Sequence, residues 1–269
     1  MIKAVALDLD GVVYSGETAL PGAVEAIERL RRLGLQVWFV TNNSARPRVS
    51  IAAKLRRFGV AASESEVMTS GYAAGLLLRR LSPGKSARVV VVGSDELRAM
   101  IEAQGFEAAS EGPAQFLVVG MDLSFNYDRI RAAMEAILGG AVFVACNRDA
   151  TYPVEGGRLL PGCGPMVAAI ECASGRAADH VVGKPSPALL ELVAAAGGLS
   201  PGEILVVGDT PESDIAAARH FGSPSVLVGD PAATAANVDS DGSQRPDFAV
   251  GSLAGVPGIL ARSPNGRST

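Results

Sequence analysis

Histidine and cysteine are scarce. The chain has two histidines, His180 and His220, and three cysteines, Cys146, Cys163 and Cys172, none in a CxxC spacing. Three such cysteines cannot make a disulfide framework, and the set argues against a structural zinc site. There is no surplus of positive charge either. Lys and Arg number 24 against 28 Asp and Glu, and the formal charge is -4. With the basic residues scattered, the electrostatic footprint of a nucleic-acid binder is missing. Long apolar runs are also absent, because Gly, Arg or Asp breaks each candidate before the ~20 residues a spanning helix needs. The start, Met1 to Leu7, is a short apolar run that Asp8 and Asp10 end before a signal-peptide core could form. It reads as the beginning of a cytoplasmic protein with no membrane partner.

What the sequence has is alternation. With 269 residues, 48% of them hydrophobic, it is long enough for two domains. Short Val, Ile and Leu runs at Ala4–Leu9, Val37–Val40, Val89–Val92, Phe116–Val119, Ala141–Ala145, Ile204–Val207 and Ser225–Val228 read as strands buried on both faces. Segments of helical period lie among them: Ala23–Leu33, Val49–Phe58, Gly71–Leu81, Tyr127–Leu138, Met166–Ala173, Pro187–Ala196 and Asp214–Phe221. The pattern predicts an α/β chain with a doubly wound parallel sheet. Turn-rich joints at Ser82–Ser86 and Ser174–Asp179 divide it. Residues 1–80 and 179–262 form a core, 81–178 an inserted smaller α/β domain, and 263–269 a disordered tail without apolar content.

The chemistry gathers at strand ends. Asp8 and Asp10 follow the first strand, and residues two apart in an extended chain point the same way, so their carboxylates repel unless a cation or a shared proton intervenes. Hard oxygen donors of this kind suit Mg²⁺. A polar turn that merely caps a strand is the alternative. Thr41-Asn42-Asn43-Ser44 ends the second strand and could cradle phosphate oxygens, although ordinary turn and N-cap chemistry uses the same residues. Lys184, between Gly183 and Pro185, sits in a fixed turn, and Asp209 ends another apolar strand five residues before Asp214. In a parallel sheet Asp8, Thr41 and Asp209 fall along one edge, where open α/β sheets place their ligands.

Asp8-x-Asp10-Gly11-Val12, Thr41, Lys184-Pro185 and Gly208-Asp209-x-x-x-x-Asp214 resemble the four ordered motifs of the haloacid dehalogenase (HAD) superfamily. Val13-Tyr14, Asn42-Asn43-Ser44 and Gly183-Lys184-Pro185-Ser186 narrow the resemblance to the NagD or 4-nitrophenyl phosphatase branch. In that branch a cap is inserted between the second and third motifs, as residues 81–178 would be. The resemblance implies a phosphatase in which Asp8 attacks phosphorus to form an aspartyl-phosphate, and Asp10 serves as acid and then as base. It implies that Thr41 and Lys184 hold phosphoryl oxygens with the backbone amides of Leu9, Asp10 and Asn42, with Asn43 beside them. Mg²⁺ would be held by Asp8, the carbonyl of Asp10 and Asp209, with Asp214 supporting. Asn147, Arg148 and Asp149, after a cap strand, would face the substrate and select its leaving group, unless they only hold a loop. The branch commonly has other residues where Thr210 and Ser213 stand here, which weakens any choice of substrate. The implied substrate is a small phosphorylated metabolite: phosphoglycolate, glycerol phosphate, a sugar phosphate, pyridoxal phosphate or a nucleoside monophosphate. An HAD phosphotransferase or phosphomutase, or an idle metabolite-binding relative, is the competing reading, and the branch allows a homodimer through the cap.

Overall fold

A computed structural model describes residues 1–84, 86–153, 158–229 and 245–262. The tail expected to be disordered, 263–269, lies outside them. The chain divides into two compact units, one comprising Met1–Thr41, Ala52–Met68 and the chain from Lys184 onward, the other Asn42–Ile51 and Thr69–Gly183.

The first unit opens with β1 (Ala4–Leu7), a hairpin of β2 (Tyr14–Ser15) and β3 (Thr18–Ala19), helix α1 (Ala23–Arg32) and β4 (Gln36–Thr41). Helix α2 (Arg48–Arg57) and β5 (Val67–Thr69) follow. Every residue of β1 is buried, as expected of a central strand with both faces covered. Helix α1 turns Ala23, Ala26, Ile27 and Leu30 inward at helical spacing and leaves its charges outside.

The second unit carries α3 (Ser70–Leu81), β6 (Arg88–Val92), α4 (Asp95–Glu102), β7 (Glu107–Ala109), β8 (Phe116–Val119), α5 (Tyr127–Leu138) and β9 (Val142–Ala145). A small antiparallel pair, β10 (Thr151–Pro153) and β11 (Leu159–Pro161), precedes α6 (Cys163–Ser174) and β12 (His180–Val181). Its five strands lie in the order β12-β9-β8-β6-β7, with every pairing parallel. Leu117, Phe143, Val167 and Ile170 fill the core beneath α5 and α6. Full burial of side chains of this size stabilises by about 1.5–3 kcal/mol each. Polar side chains cap the helix starts: Thr69 accepts from Tyr72 N, Ser94 from Leu97 N and Asn126 from Arg129 N.

The chain returns to the first unit for α7 (Ala188–Gly197), β13 (Ile204–Gly208), α8 (Ala216–Phe221), β14 (Ser225–Val228), β15 (Phe248–Val250) and α9 (Val256–Arg262). Six strands run β15-β14-β13-β1-β4-β5. The pairings of β1 with β13 and β4, and of β14 with β13 and β15, are parallel.

Some element boundaries differ from expectation. The first strand stops at Leu7 because Asp8 N donates the last ladder bond to Val207 O at 2.8 Å, while Leu9 O turns to accept from Val12, Val13 and Tyr14. The helix expected from Asp214 begins at Ala216, after a π-helical turn at Pro211–Ile215. His180 and Val181 pair with β9 in the five-stranded sheet, and α3 packs on α4 through Gly71. Both segments therefore group with the second unit.

Candidate active site

Strand β1 lies between β13 and β4, so the chain leaving its carboxyl end is flanked by the ends of both neighbours. Asp8 follows β1, Asp209 follows β13, and Thr41, buried, is the last residue of β4. This is the edge where parallel sheets present ligands.

Lys184 joins these ends. Its ammonium is ion-paired with Asp8 Oδ1, lies 2.6 Å from Asp214 Oδ1 and donates to Val40 O at 3.4 Å. The Lys184 side chain is only 5% exposed, so the charge depends on these partners rather than on water. Burial works against the ammonium, but Asp214 and Asp8 outweigh it and raise its pKa. Asp8 is raised well above the usual carboxylate range, first by desolvation, with Asp214 and Asp209 adding to the rise and Lys184 opposing it. Desolvation and then Asp214 push Asp209 up to about 6.

Carboxylate oxygens of Asp8, Asp209 and Asp214 all lie within 4.8 Å of one another. Three carboxyl groups thus face one ammonium, every donor is oxygen, and the crowding favours either protons or a cation among them. That donor set and charge fit a hard divalent cation such as Mg²⁺. The Asp10 carboxylate is not one of the three; its residue is bridged to Tyr14 across the turn that follows β1. Asp214 also accepts from Thr210 N at 3.1 Å, so its two oxygens fix the lysine on one side and the Asp209–Thr210 backbone on the other.

Two glycines make this packing feasible. A Cβ on Gly11 would stand 2.0 Å from Asp209 Oδ2, and one on Gly208 would stand 2.1 Å from Asp214 Cβ. Gly11 also has φ 85°, in the left-handed region that suits glycine.

Asn42, Asn43, Asn147, Arg148 and Asp149 lie in the second unit, where Asn42, Asn147 and Asp149 are bonded together. Asn42 Nδ2 donates to both Asp149 oxygens at 3.0 and 3.1 Å, and Asn42 O accepts from Ser70 Oγ and Asn147 Nδ2, each at 2.7 Å. Asn43 Oδ1 accepts from Ala45 N and Arg46 N, closing a turn ahead of α2. Arg148 pairs with Glu171. Sequence reasoning missed Ser70, and also Lys54, which binds the β2–β3 hairpin. Neither stands in a motif, and their partners lie 28 and 38 residues away.

A family model described as haloacid dehalogenase-like hydrolase matches residues 5–107, and a HAD-hydrolase-like model matches 181–256. Chronophin of Mus musculus is 38% identical over 84% of this chain and 80% of its own. The p-nitrophenyl phosphatase from Archaeoglobus fulgidus superposes with a TM-score of 0.90 at 31% identity, covering 96% of this chain and 99% of its own. Glycerol phosphate phosphatase from Mycobacterium tuberculosis, solved in complex with magnesium, gives a TM-score of 0.84 at 34% identity, over 94% of this chain and 76% of its own. Among the described residues no helix is long and apolar enough to cross a membrane. The chain belongs to the haloacid dehalogenase-like hydrolases, a family that uses a divalent metal, and is a phosphatase of their NagD and p-nitrophenyl phosphatase type.

Proposed function

We propose that Asp8 is the nucleophile of a Mg²⁺-dependent phosphatase acting on small phosphorylated metabolites in the cytoplasm. The observation that carries this reading is the buried Lys184 held between Asp8 and Asp214, with Asp209 adding a third carboxylate. Bound Mg²⁺, held by Asp8, the Asp10 carbonyl and Asp209 with Asp214 in support, would supply positive charge against the phosphoryl oxygens.

The protein's own groups do the rest. Lys184 keeps Asp8 oriented and offers its ammonium to the incoming phosphoryl group, beside the Thr41 hydroxyl and the amides of Leu9, Asp10 and Asn42. An Asp8 oxygen bonds to phosphorus while the ester oxygen leaves and takes the proton of Asp10. Asp10, now a carboxylate, removes a proton from the water that attacks the aspartyl-phosphate, which returns Asp8 and releases phosphate. A carboxyl at position 10 favours ester substrates, because an alkoxide needs a proton in order to leave.

The second unit, centred on the stretch 81–178, acts in this reading as the cap that selects the leaving group. Asn147 and Asp149 enter through Asn42, which both of them hold directly after Thr41, while Arg148 pairs with Glu171. Glycerol phosphate heads the substrate candidates, since the M. tuberculosis relative is named for it. Pairing through the cap would make a homodimer.

Hydrolysis of 4-nitrophenyl phosphate should require Mg²⁺ and stop in EDTA. A panel of glycerol phosphate, phosphoglycolate, pyridoxal phosphate, sugar phosphates and nucleoside monophosphates, ranked by kcat/KM, then names the substrate class. Full turnover after exhaustive chelation refutes the metal assignment.

A further inference from the structure

The segment carrying Asp10 continues directly into the β2–β3 hairpin. Gly11 N donates to Tyr14 O at 2.8 Å, Asp10 and Tyr14 form a bridge, and Tyr14 and Ser15 pair with Ala19 and Thr18. Two strands of two residues cannot hold a position in water by their own ladder. Something else must fix the hairpin, and with it the direction in which Asp10 points.

Helix α2 supplies that support, most closely through Lys54. Lys54 Nζ donates to Gly16 O at the hairpin tip at 2.7 Å, lies 3.4 Å from Glu17 Oε1 and stands 3.8 Å from the centre of the Tyr14 ring. An ammonium has three donors, and here a carbonyl, a carboxylate and an aromatic face engage it. Its side chain is 11% exposed, so Lys54 is an internal strut and not a solvated surface charge. Arg57 adds a 3.0 Å bond to the same Glu17, and Phe58 packs on Tyr14 with ring centres 5.8 Å apart. The Lys54 charge, more than any other contribution, lowers the pKa of Glu17 and keeps the pair ionised.

We infer that Lys54 is a positioning residue for the reaction: by fixing the Tyr14–Glu17 hairpin it sets the orientation of Asp10. This rests on the acid and base role proposed for Asp10. It predicts that loss of Lys54 harms proton transfer to the leaving group more than it harms attack by Asp8.

The test compares Lys54→Met, Lys54→Arg and Asp10→Asn on glycerol phosphate, a poor leaving group, and on 4-nitrophenyl phosphate, a good one. Single-turnover release of the alcohol or nitrophenol is measured with Mg²⁺ present. Lys54→Met should slow the alkyl ester by roughly 10- to 100-fold, the cost of a misplaced catalytic group, with a much smaller effect on the nitrophenyl ester. Lys54→Arg, which keeps the charge, should recover part of the loss. In the Asp10→Asn background, Lys54→Met should cost little more, since it acts through the group already removed. Equal losses on both esters, or full additivity with Asp10→Asn, overturn the inference. If Asp10→Asn itself shows no leaving-group dependence, the role given to Asp10 fails, and that result is distinct from a failure of Lys54 alone. Circular dichroism of each variant identifies any that do not fold, and Glu17→Gln, which leaves the Gly16 and Tyr14 contacts in place, then serves as the milder probe of the same strut.

Discussion

The two parallel sheets end their strands in similar polar residues, but among the described residues only the six-stranded one gathers three carboxylates around one ammonium. In the five-stranded sheet, the segment after β9 carries Asn147 and Asp149, which bond to Asn42, and Arg148, which bonds to Glu171, while Asn147 Oδ1 also accepts from Asp149 N. In the six-stranded sheet, three carboxylates share one ammonium, and burial has raised Asp8 and Asp209 above the usual range. Polar strand ends alone therefore do not mark a site. The distinguishing feature is a cluster of negative charge that a bound divalent cation can offset.

The deepest break in the comparison is to remove the nucleophile. Asp8→Asn eliminates the attacking carboxylate, and turnover should fall by a factor on the order of ten thousand or more. With rapid quench and labelled phosphate, wild type should carry label on Asp8 and the variant none. Label trapped on the variant would remove Asp8 from its role.

Next comes the close packing that builds the charge cluster. Gly11→Ala puts a Cβ where Asp209 Oδ2 now lies, at a backbone angle that disfavours any side chain. Asp209 must shift, and Mg²⁺ affinity should weaken by about 10- to 100-fold, the range seen when a ligand's support is lost. Titration of activity against Mg²⁺ measures this. An unchanged midpoint would show that Asp209 does not hold the metal.

Much of this frame was legible beforehand. Phe116–Val119 and Ser225–Val228 are strands and Tyr127–Leu138 is a helix with the limits their apolar runs set. The strand-end motifs could be read because β1, β4 and β13 are apolar on both faces, so each carboxylate or hydroxyl marks where a run stops. What stayed hidden is short or non-local. Helix α4 has eight residues and announces itself mainly through the Ser94 cap. Strands β2, β3 and β12 have two residues each, too few for any period to show. The π-helical turn at Pro211–Ile215 depends on Asp214 reaching back to Thr210 N, a bond no periodicity reports. The second unit's claim on residues 70–81 comes from Gly71 meeting Met100 and Leu97 on α4, across 26 or more positions.

The unbalanced charge should also respond to pH. Asp209 is held up at about 6, whereas an unfolded aspartate titrates near 3.9. Between these values the folded protein binds more protons than the unfolded one, so this group makes metal-free stability fall as pH rises from about 4 to about 6. Saturating Mg²⁺ should reverse the trend, because only the deprotonated carboxylate binds it, and affinity should weaken by up to about tenfold per pH unit below 6. Melting temperatures taken from pH 4 to 8, with and without Mg²⁺, are the measurement. Glu17, Glu171 and Glu203 have lowered pKa values and pull the other way, so the comparison is with Asp209→Asn. The same metal-free slope in both proteins, with no added benefit from Mg²⁺ at pH 7, would contradict the role given to Asp209.

The smallest effect belongs to the five-stranded sheet, and its pattern matters more than its size. Asn42 O accepts from two donors, Ser70 Oγ and Asn147 Nδ2, each at 2.7 Å, so either bond can be lost while the carbonyl stays paired. Ser70→Ala should lower stability by about 0.5–1.5 kcal/mol, the net worth of one hydrogen bond, and Asn147→Ala by more, because it also loses the bond from Asp149 N. The double variant leaves a buried acceptor without either partner and should cost more than the two single losses together, by about 1 kcal/mol or more. Urea unfolding of the four proteins closes this cycle. Strict additivity would mean that water replaces the missing donors, and the network after β9 would then be as open to solvent as the strand ends it is being compared with.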